Sequence, residues 1–197
     1  MRKWPPNRTL SNWIASQFEP EFRGFAVDVG ASDGISISTT YGLEKDWGWT
    51  VLCVEPNPIF WDELNKERAF AVRCACGKSA GMAMLHVNKE NPEAYTALEV
   101  SSHPAATEIK AWEKIQVRVR TVEELARLWG FTRIDALCVD VEGTERDVLS
   151  GSNLPEWKPK VVVAESWDAG ALDDFLVPLG YERKFRTVHN DGYVRRA

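Results

Sequence analysis

The chain has 197 residues, 44% of them hydrophobic and 27% charged, with a formal net charge of −5; this length and balance fit one soluble globular domain. No apolar stretch approaches the roughly 20 residues of a membrane-spanning helix, and Met1-Arg2-Lys3-Trp4-Pro5-Pro6 is not followed by the apolar region of a secretory signal, so a cytoplasmic protein is expected. The basic groupings (Arg118 with Arg120; Arg183, Lys184 and Arg186; Arg195 with Arg196) are too short and scattered to track a phosphate backbone, which argues against nucleic acid as the main partner.

In chain order, residues 1–22 read as a lead of one or two short helices anchored by Trp4 and Trp13. A strand is predicted over 25–29, and its apolar run stops in Asp28-Val29-Gly30-Ala31-Ser32-Asp33-Gly34. Such a run entering a glycine turn marks a ligand-facing loop of the nucleotide-cofactor type. Its carboxylates are acceptors that suit amines and hydroxyls, and Ser32 stands where a pyrophosphate-binding Gly-x-Gly-x-x-Gly turn needs its second glycine. The next strand, 50–54, ends at Glu55, where a carboxylate is placed to chelate a ribose diol. Asn57 as N-cap and Pro58 at the first helical position start a helix over 58–68.

Further strands are expected over 70–74, 82–87, 116–120, 134–139, 160–164, 181–185 and 188–194, so that strands alternate with helices on a mainly parallel sheet. Between them, 88–114 mixes prolines, serines and charges and reads as an insertion of loop and short helix on the substrate side. Thr121-Val122-Glu123-Glu124 is a capping box for a helix that stops at Gly130. The turn signal His189-Asn190-Asp191-Gly192 predicts a closing antiparallel hairpin.

Cys53 and Cys138 fall in buried strands and Cys74 and Cys76 at the end of a third, so the four are expected to pack as small core residues, without disulfides or zinc. The acids are different. The strand over 134–139 ends in Asp140-Val141-Glu142-Gly143 before a helix near Thr144, and Val161-Val162-Val163-Ala164 ends in Glu165. One acid after a strand is an ordinary helix-start residue; four acid-tipped strands delivering Asp28 and Asp33, Glu55, Asp140 and Glu142, and Glu165 to one sheet edge make a site. His86, His103 and His189 are weaker candidates, and Trp112 and Trp167 sit near the predicted substrate edge although packing is the better reading for the tryptophans.

Asp28–Gly34, Val54-Glu55-Pro56-Asn57-Pro58 and Val139-Asp140-Val141-Glu142-Gly143-Thr144-Glu145 together resemble the FkbM family of S-adenosylmethionine-dependent methyltransferases, the likeness running from about Phe25 to Gly151. The resemblance implies a Rossmann-like class I methyltransferase fold: a seven-stranded, mainly parallel sheet with an antiparallel last strand and helices on both faces. It implies that the turn of Asp28, Gly30, Ala31, Ser32, Asp33 and Gly34 holds the methionine part of S-adenosyl-L-methionine and that Glu55 holds the ribose. Pro56, Ala75 and Cys76 would flank the adenine, and Asp140 would stand beside the transferred methyl. Asp140, assisted by Glu142 and Glu165, would accept a substrate hydroxyl proton or hold a divalent metal.

The expected activity is O-methylation of a small molecule or sugar by a monomer or homodimer. Two alternatives remain at this point: a non-catalytic S-adenosylmethionine-binding module, and a nucleic-acid methyltransferase, against which the charge and the lack of an Asn/Asp-Pro-Pro-Tyr/Phe motif both count.

Overall fold

Apolar strand-length runs separated by amphipathic segments bury themselves as layers, a sheet between helices. A computed structural model describes residues 5–92, 96–98 and 111–196. The elements in chain order are α1 (Arg8–Ala15), β1 (Phe25–Val29), α2 (Tyr41–Lys45), β2 (Thr50–Val54), α3 (Trp61–Glu67), β3 (Phe70–Val72), β4 (Ala75–Cys76), β5 (Gly81–Asn88) and β6 (Thr96–Ala97). There follow β7 (Trp112–Arg120), α4 (Val122–Leu128), β8 (Ala136–Val139), α5 (Glu145–Ser150), α6 (Leu154–Trp157), β9 (Val161–Glu165), α7 (Asp173–Leu176), β10 (Tyr181–Arg186) and β11 (Asn190–Arg195).

The main sheet has seven strands in the order β10-β11-β9-β8-β1-β2-β3. β1 runs parallel to β2 and β8, β8 parallel to β9, and β11 antiparallel to both of its neighbours, as the Rossmann-like expectation requires. The register sets Asp28 beside Cys53 and Cys138, so the ends of β1, β2 and β8 are level and their loops meet.

Side chains alternate across a strand, and β1 accordingly sends Val27 and Val29 into one core and Ala26 into another. The first core is closed by Val122 and Leu125 of α4 with Val148 and Leu149 of α5. The second is closed by Leu10 and Ile14 of α1, Leu43 of α2 and Leu64 of α3. Helices therefore cover both faces, which a parallel sheet needs in order to bury its strands. Asp28, two residues after Ala26, falls on the face of α1, α2 and α3.

The local helix signals are realised in atoms. Asn57 accepts from the amide of Ile59 at 3.2 Å ahead of a 3-10 turn that leads into α3, and Thr121 Oγ1 accepts from the amide of Glu124 at 3.0 Å. Past α4, Gly130 takes φ +72°, the left-handed exit that glycine makes without strain. Trp13 docks α1 by stacking on Phe185 at 4.9 Å, while Trp4 lies outside the described residues.

Three expectations are corrected. The runs at 82–87 and 116–120 do not extend the main sheet; β5 and β7 pair antiparallel in a separate four-stranded sheet, β4-β7-β5-β6, around a small core of Leu85, Val87, Val117 and Val119. The insertion is narrower than 88–114, since Asn88 belongs to β5, Thr96 and Ala97 form β6 and β7 begins at Trp112. The loop and short helix expected in the rest of that stretch, 93–95 and 99–110, fall outside the described residues.

The closing turn also lies earlier than predicted. Thr187 N–H donates to the Asn190 carbonyl at 2.8 Å and Asn190 N–H to Thr187 Oγ1 at 2.9 Å, leaving Asp191 and Gly192 inside β11. Asp191 is drawn inward because its Oδ2 accepts from the Gly170 amide at 2.8 Å and its Oδ1 lies 3.2 Å from Arg186 Nη1. Among the described residues no helix is long and apolar enough to cross a membrane.

Candidate active site

A cavity of about 790 Å3 opens at the carboxyl ends of β1, β2, β8 and β9, at the switch point of an open α/β sheet where ligands bind. Asp28, Gly30, Ala31, Ser32, Asp33, Glu55, Pro56, Ala75, Cys76, Asp140, Glu142 and Glu165 all line it. Gly34 is the exception among the sequence-predicted residues. It lies beneath the wall, its carbonyl accepting from Arg68 Nη1 at 3.1 Å, and a Cβ there would press on Arg68 and Leu64 at φ +80°. Its glycine is required by packing of the turn.

Gly30 has a structural reason of the same kind. At φ +85° its missing Cβ would stand 1.7 Å from the carbonyl oxygen of Asp140, so a glycine here lets the β1 turn pass the end of β8. The amides of Gly30 and Ala31 both donate to the Val54 carbonyl, at 2.9 and 3.1 Å, and the Ser32 amide donates to Glu55 Oε2 at 2.8 Å. These three amides are engaged within the protein, unlike those of a pyrophosphate cradle.

On the β1–β2 side, each acid is tied down. Asp28 Oδ2 accepts from Thr40 Oγ1 at 2.5 Å and Ser38 Oγ at 3.4 Å and lies 3.8 Å from Arg68 Nη1. Burial pushes its carboxyl pKa up while Arg68 pulls against that shift. Asp33 closes its own turn, Oδ1 accepting from the amides of Ile35 and Ser36 at 2.8 and 2.7 Å. Glu55 accepts from the Asn57 amide at 2.7 Å through Oε1 as well as from Ser32 through Oε2. Each Glu55 oxygen keeps a further lone pair for a ligand, and burial lifts its pKa to about 7.

On the β8–β9 side the acids face one another. Asp140, Glu142 and Glu165 each bring a carboxylate oxygen to within 4.8 Å of the others. Burial, followed by repulsion from neighbouring acids, pushes all three pKa values up, and Asp140 and Glu165 share a hydrogen bond, so their protons belong to the group and not to single residues. Glu165 is 8% exposed and its Oε2 is buried without a hydrogen-bond partner. The loop carrying Asp140 and Glu142 is pinned by Glu145, whose Oε1 accepts from the amides of Val141 and Gly143 at 3.1 and 3.0 Å.

Several contributors escape sequence reasoning. Arg68 is 4% exposed and binds Glu44 at 2.8 Å, the Gly34 carbonyl, Thr40 and Asp28; nothing in the sequence separates it from a surface arginine at a helix end. Glu145 carried a visible signal, an acid at the start of a helix directly after the Asp140–Gly143 loop. Of the weaker candidates, His189 lines the cavity and its ring lies 4.7 Å from that of Trp167. His86 stacks edge-on with Trp112 at 6.3 Å and neither lines the cavity; His103 lies outside the described residues. All four cysteines are buried and unbridged.

An open sheet with this strand order, covered on both faces and carrying an acid-lined cavity at its switch point, defines a Rossmann-like fold of the class I methyltransferase type. A sequence profile described as the Methyltransferase FkbM domain matches residues 28–186, well over half of the chain, and the chain belongs to the FkbM methyltransferase family. It is 28% identical over 178 residues to "Methyltransferase sdnD" of Sordaria araneosa, covering 75% of this chain and 68% of that protein. The crystal structure of methyltransferase FkbM from Methylobacillus flagellatus KT shares the fold, with a TM-score of 0.62 at 17% identity over 98% of this chain and 48% of that one. The chain thus spans about half the length of that relative.

Proposed function

We propose that this chain is an S-adenosylmethionine-dependent methyltransferase that methylates a hydroxyl of an uncharged small molecule or sugar. The observation that carries the reading is the meeting of four acid-tipped strands at one cavity whose lining, among the described residues, includes six carboxylates and no lysine or arginine. Such a wall fits a cofactor that presents an ammonium, a sulfonium and a ribose diol, and it disfavours phosphorylated acceptors.

In this reading Asp28 and Asp33 organise the turn beneath the cofactor's amino-acid end. Glu55 takes the ribose hydroxyls with its remaining lone pairs, and Ala75 and Cys76, both buried and small, flank the base beside Pro56. The cofactor supplies an electrophilic methyl on sulfur, so the protein's share of the work is to align an oxygen nucleophile and remove its proton. Asp140 suits the second task because burial raises its basicity above that of an ordinary carboxylate, to about 7, and Glu165 hydrogen-bonds to it. Glu142 completes the acceptor side. The absence of basic side chains among the described lining residues equally weighs against a nucleic-acid acceptor.

The test is transfer of tritiated methyl from S-adenosylmethionine to a panel of neutral polyols, sugars, carboxylic acids and sugar phosphates. Label in hydroxyl-bearing neutral acceptors, lost in Asp140→Asn, is the expected result. Transfer confined to phosphorylated or carboxylate acceptors would overturn it.

A further inference from the structure

The structure points, we propose, to a binding site for one hard divalent cation of the Mg2+, Mn2+ or Ca2+ class formed by Asp140, Glu142 and Glu165. Two observations carry it. The first is convergence: the loop after β8 supplies two carboxylates and the last residue of β9 a third, with one oxygen from each inside a 4.8 Å span. Oxygen ligands held at roughly 2.0–2.6 Å from one ion lie at such separations from one another, leaving other positions for water or a substrate oxygen.

The second is the state of Glu165. Its side chain is buried at 8% exposure, one oxygen engages Asp140, and Oε2 has no hydrogen-bond partner among the described residues. A buried carboxylate oxygen without a donor is costly and calls for a cation or a proton. Arg68, the arginine that neutralises Asp28 and Glu44, is spent on those acids and the Gly34 carbonyl beneath the β1 turn and does not line the cavity. The all-oxygen donor set selects a hard ion over zinc or copper, which favour nitrogen and sulfur; the one thiol among the described lining residues, Cys76, belongs to β4.

The site's use in catalysis rests on the methyltransferase reading above: a cation here would hold the acceptor hydroxyl and lower its pKa, easing the demand on any carboxylate base. Binding of the ion itself does not depend on that reading, and the experiment separates the two. Mn2+ is titrated into chelator-stripped whole protein without cofactor, followed by electron paramagnetic resonance, with Mg2+ and Ca2+ as competitors. S-adenosylhomocysteine binding is measured separately in EDTA.

One Mn2+ per chain is expected, displaced by Mg2+ and weakened at least about tenfold in Glu165→Gln and in Asp140→Asn. Glu113→Gln, on an exposed strand position, should leave it unchanged. Glu165→Asp guards against misfolding of the amide variants, since it keeps the charge and should retain weakened binding. Absence of stoichiometric Mn2+ binding by the wild type, or equal affinity in Glu165→Gln and Glu113→Gln, would overturn the cation site. Loss of S-adenosylhomocysteine binding alone would overturn only the cofactor reading.

Discussion

The two sides of the cavity solve the same problem in opposite ways. At the ends of β1 and β2, every acid has donors: Asp28 has Thr40, Ser38 and Arg68, Asp33 its own turn, and Glu55 two backbone amides. At the ends of β8 and β9, Asp140 and Glu165 lean on each other and the Glu165 Oε2 is left without a donor. The difference teaches that acids of one type at one sheet edge need not share a role. Those already satisfied by the protein shape a pocket, and those held against one another are poised for an incoming charge or proton.

Breaking the satisfied side should have the largest effect. Arg68→Met leaves the buried Asp28 without its cation, while Glu44 keeps Lys45 at 2.8 Å, and should cost about 3–5 kcal/mol in urea denaturation. A loss below about 1 kcal/mol would mean that Thr40 and Ser38 suffice.

The next effect is pH dependence at Glu55. Its unfolded pKa of 4.5 rises to about 7 in the fold, so between those values the folded chain binds more protons than the unfolded one. Stability must therefore fall as pH rises through that window, by on the order of 3 kcal/mol for this one group. Melting temperatures from about pH 5 to about 8 should decline, and Glu55→Gln should flatten its share of the slope.

On the unsatisfied side the sign of a deletion reverses. In EDTA at about pH 8, Glu165→Gln should raise stability by about 1–2 kcal/mol, because the unfolded chain ionises this carboxyl while the fold buries it beside other acids and favours its protonated form, a cost an amide is spared. Destabilisation under those conditions would show that the acids already have a neutralising partner. The smallest effect is at the rim: Trp167, 44% exposed and tilted over His189, should change stability by no more than about 0.5 kcal/mol as Trp167→Ala, measured by thermal melting.

Much of this arrangement was legible from the chain because it is written in local patterns. Apolar runs ending in acids located β1, β2, β8 and β9, and Asn57-Pro58 and Thr121 announced their helices through side-chain caps. What depends on partners chosen across the fold was not legible. Nothing in the 82–87 or 116–120 runs says that they pair with each other and not with the main sheet, and Asp191 reads as a turn residue until Gly170 and Arg186 are brought to it. Arg68 was hidden for the same reason. A buried arginine is recognisable only once the acids it meets, from β1 and α2, are folded against it. Gly30 and Gly34 were found for the turn they make, but their glycines answer to Asp140 and to Arg68 and Leu64.

The division between the two sides is tested most directly by calorimetric titration of S-adenosylhomocysteine, in EDTA, into the wild type, Glu55→Ala and Glu165→Gln. The account predicts micromolar-range binding to the wild type, a loss of about tenfold or more in Glu55→Ala, and near-wild-type affinity in Glu165→Gln. Equal losses in both variants, or unimpaired binding in Glu55→Ala, would contradict it.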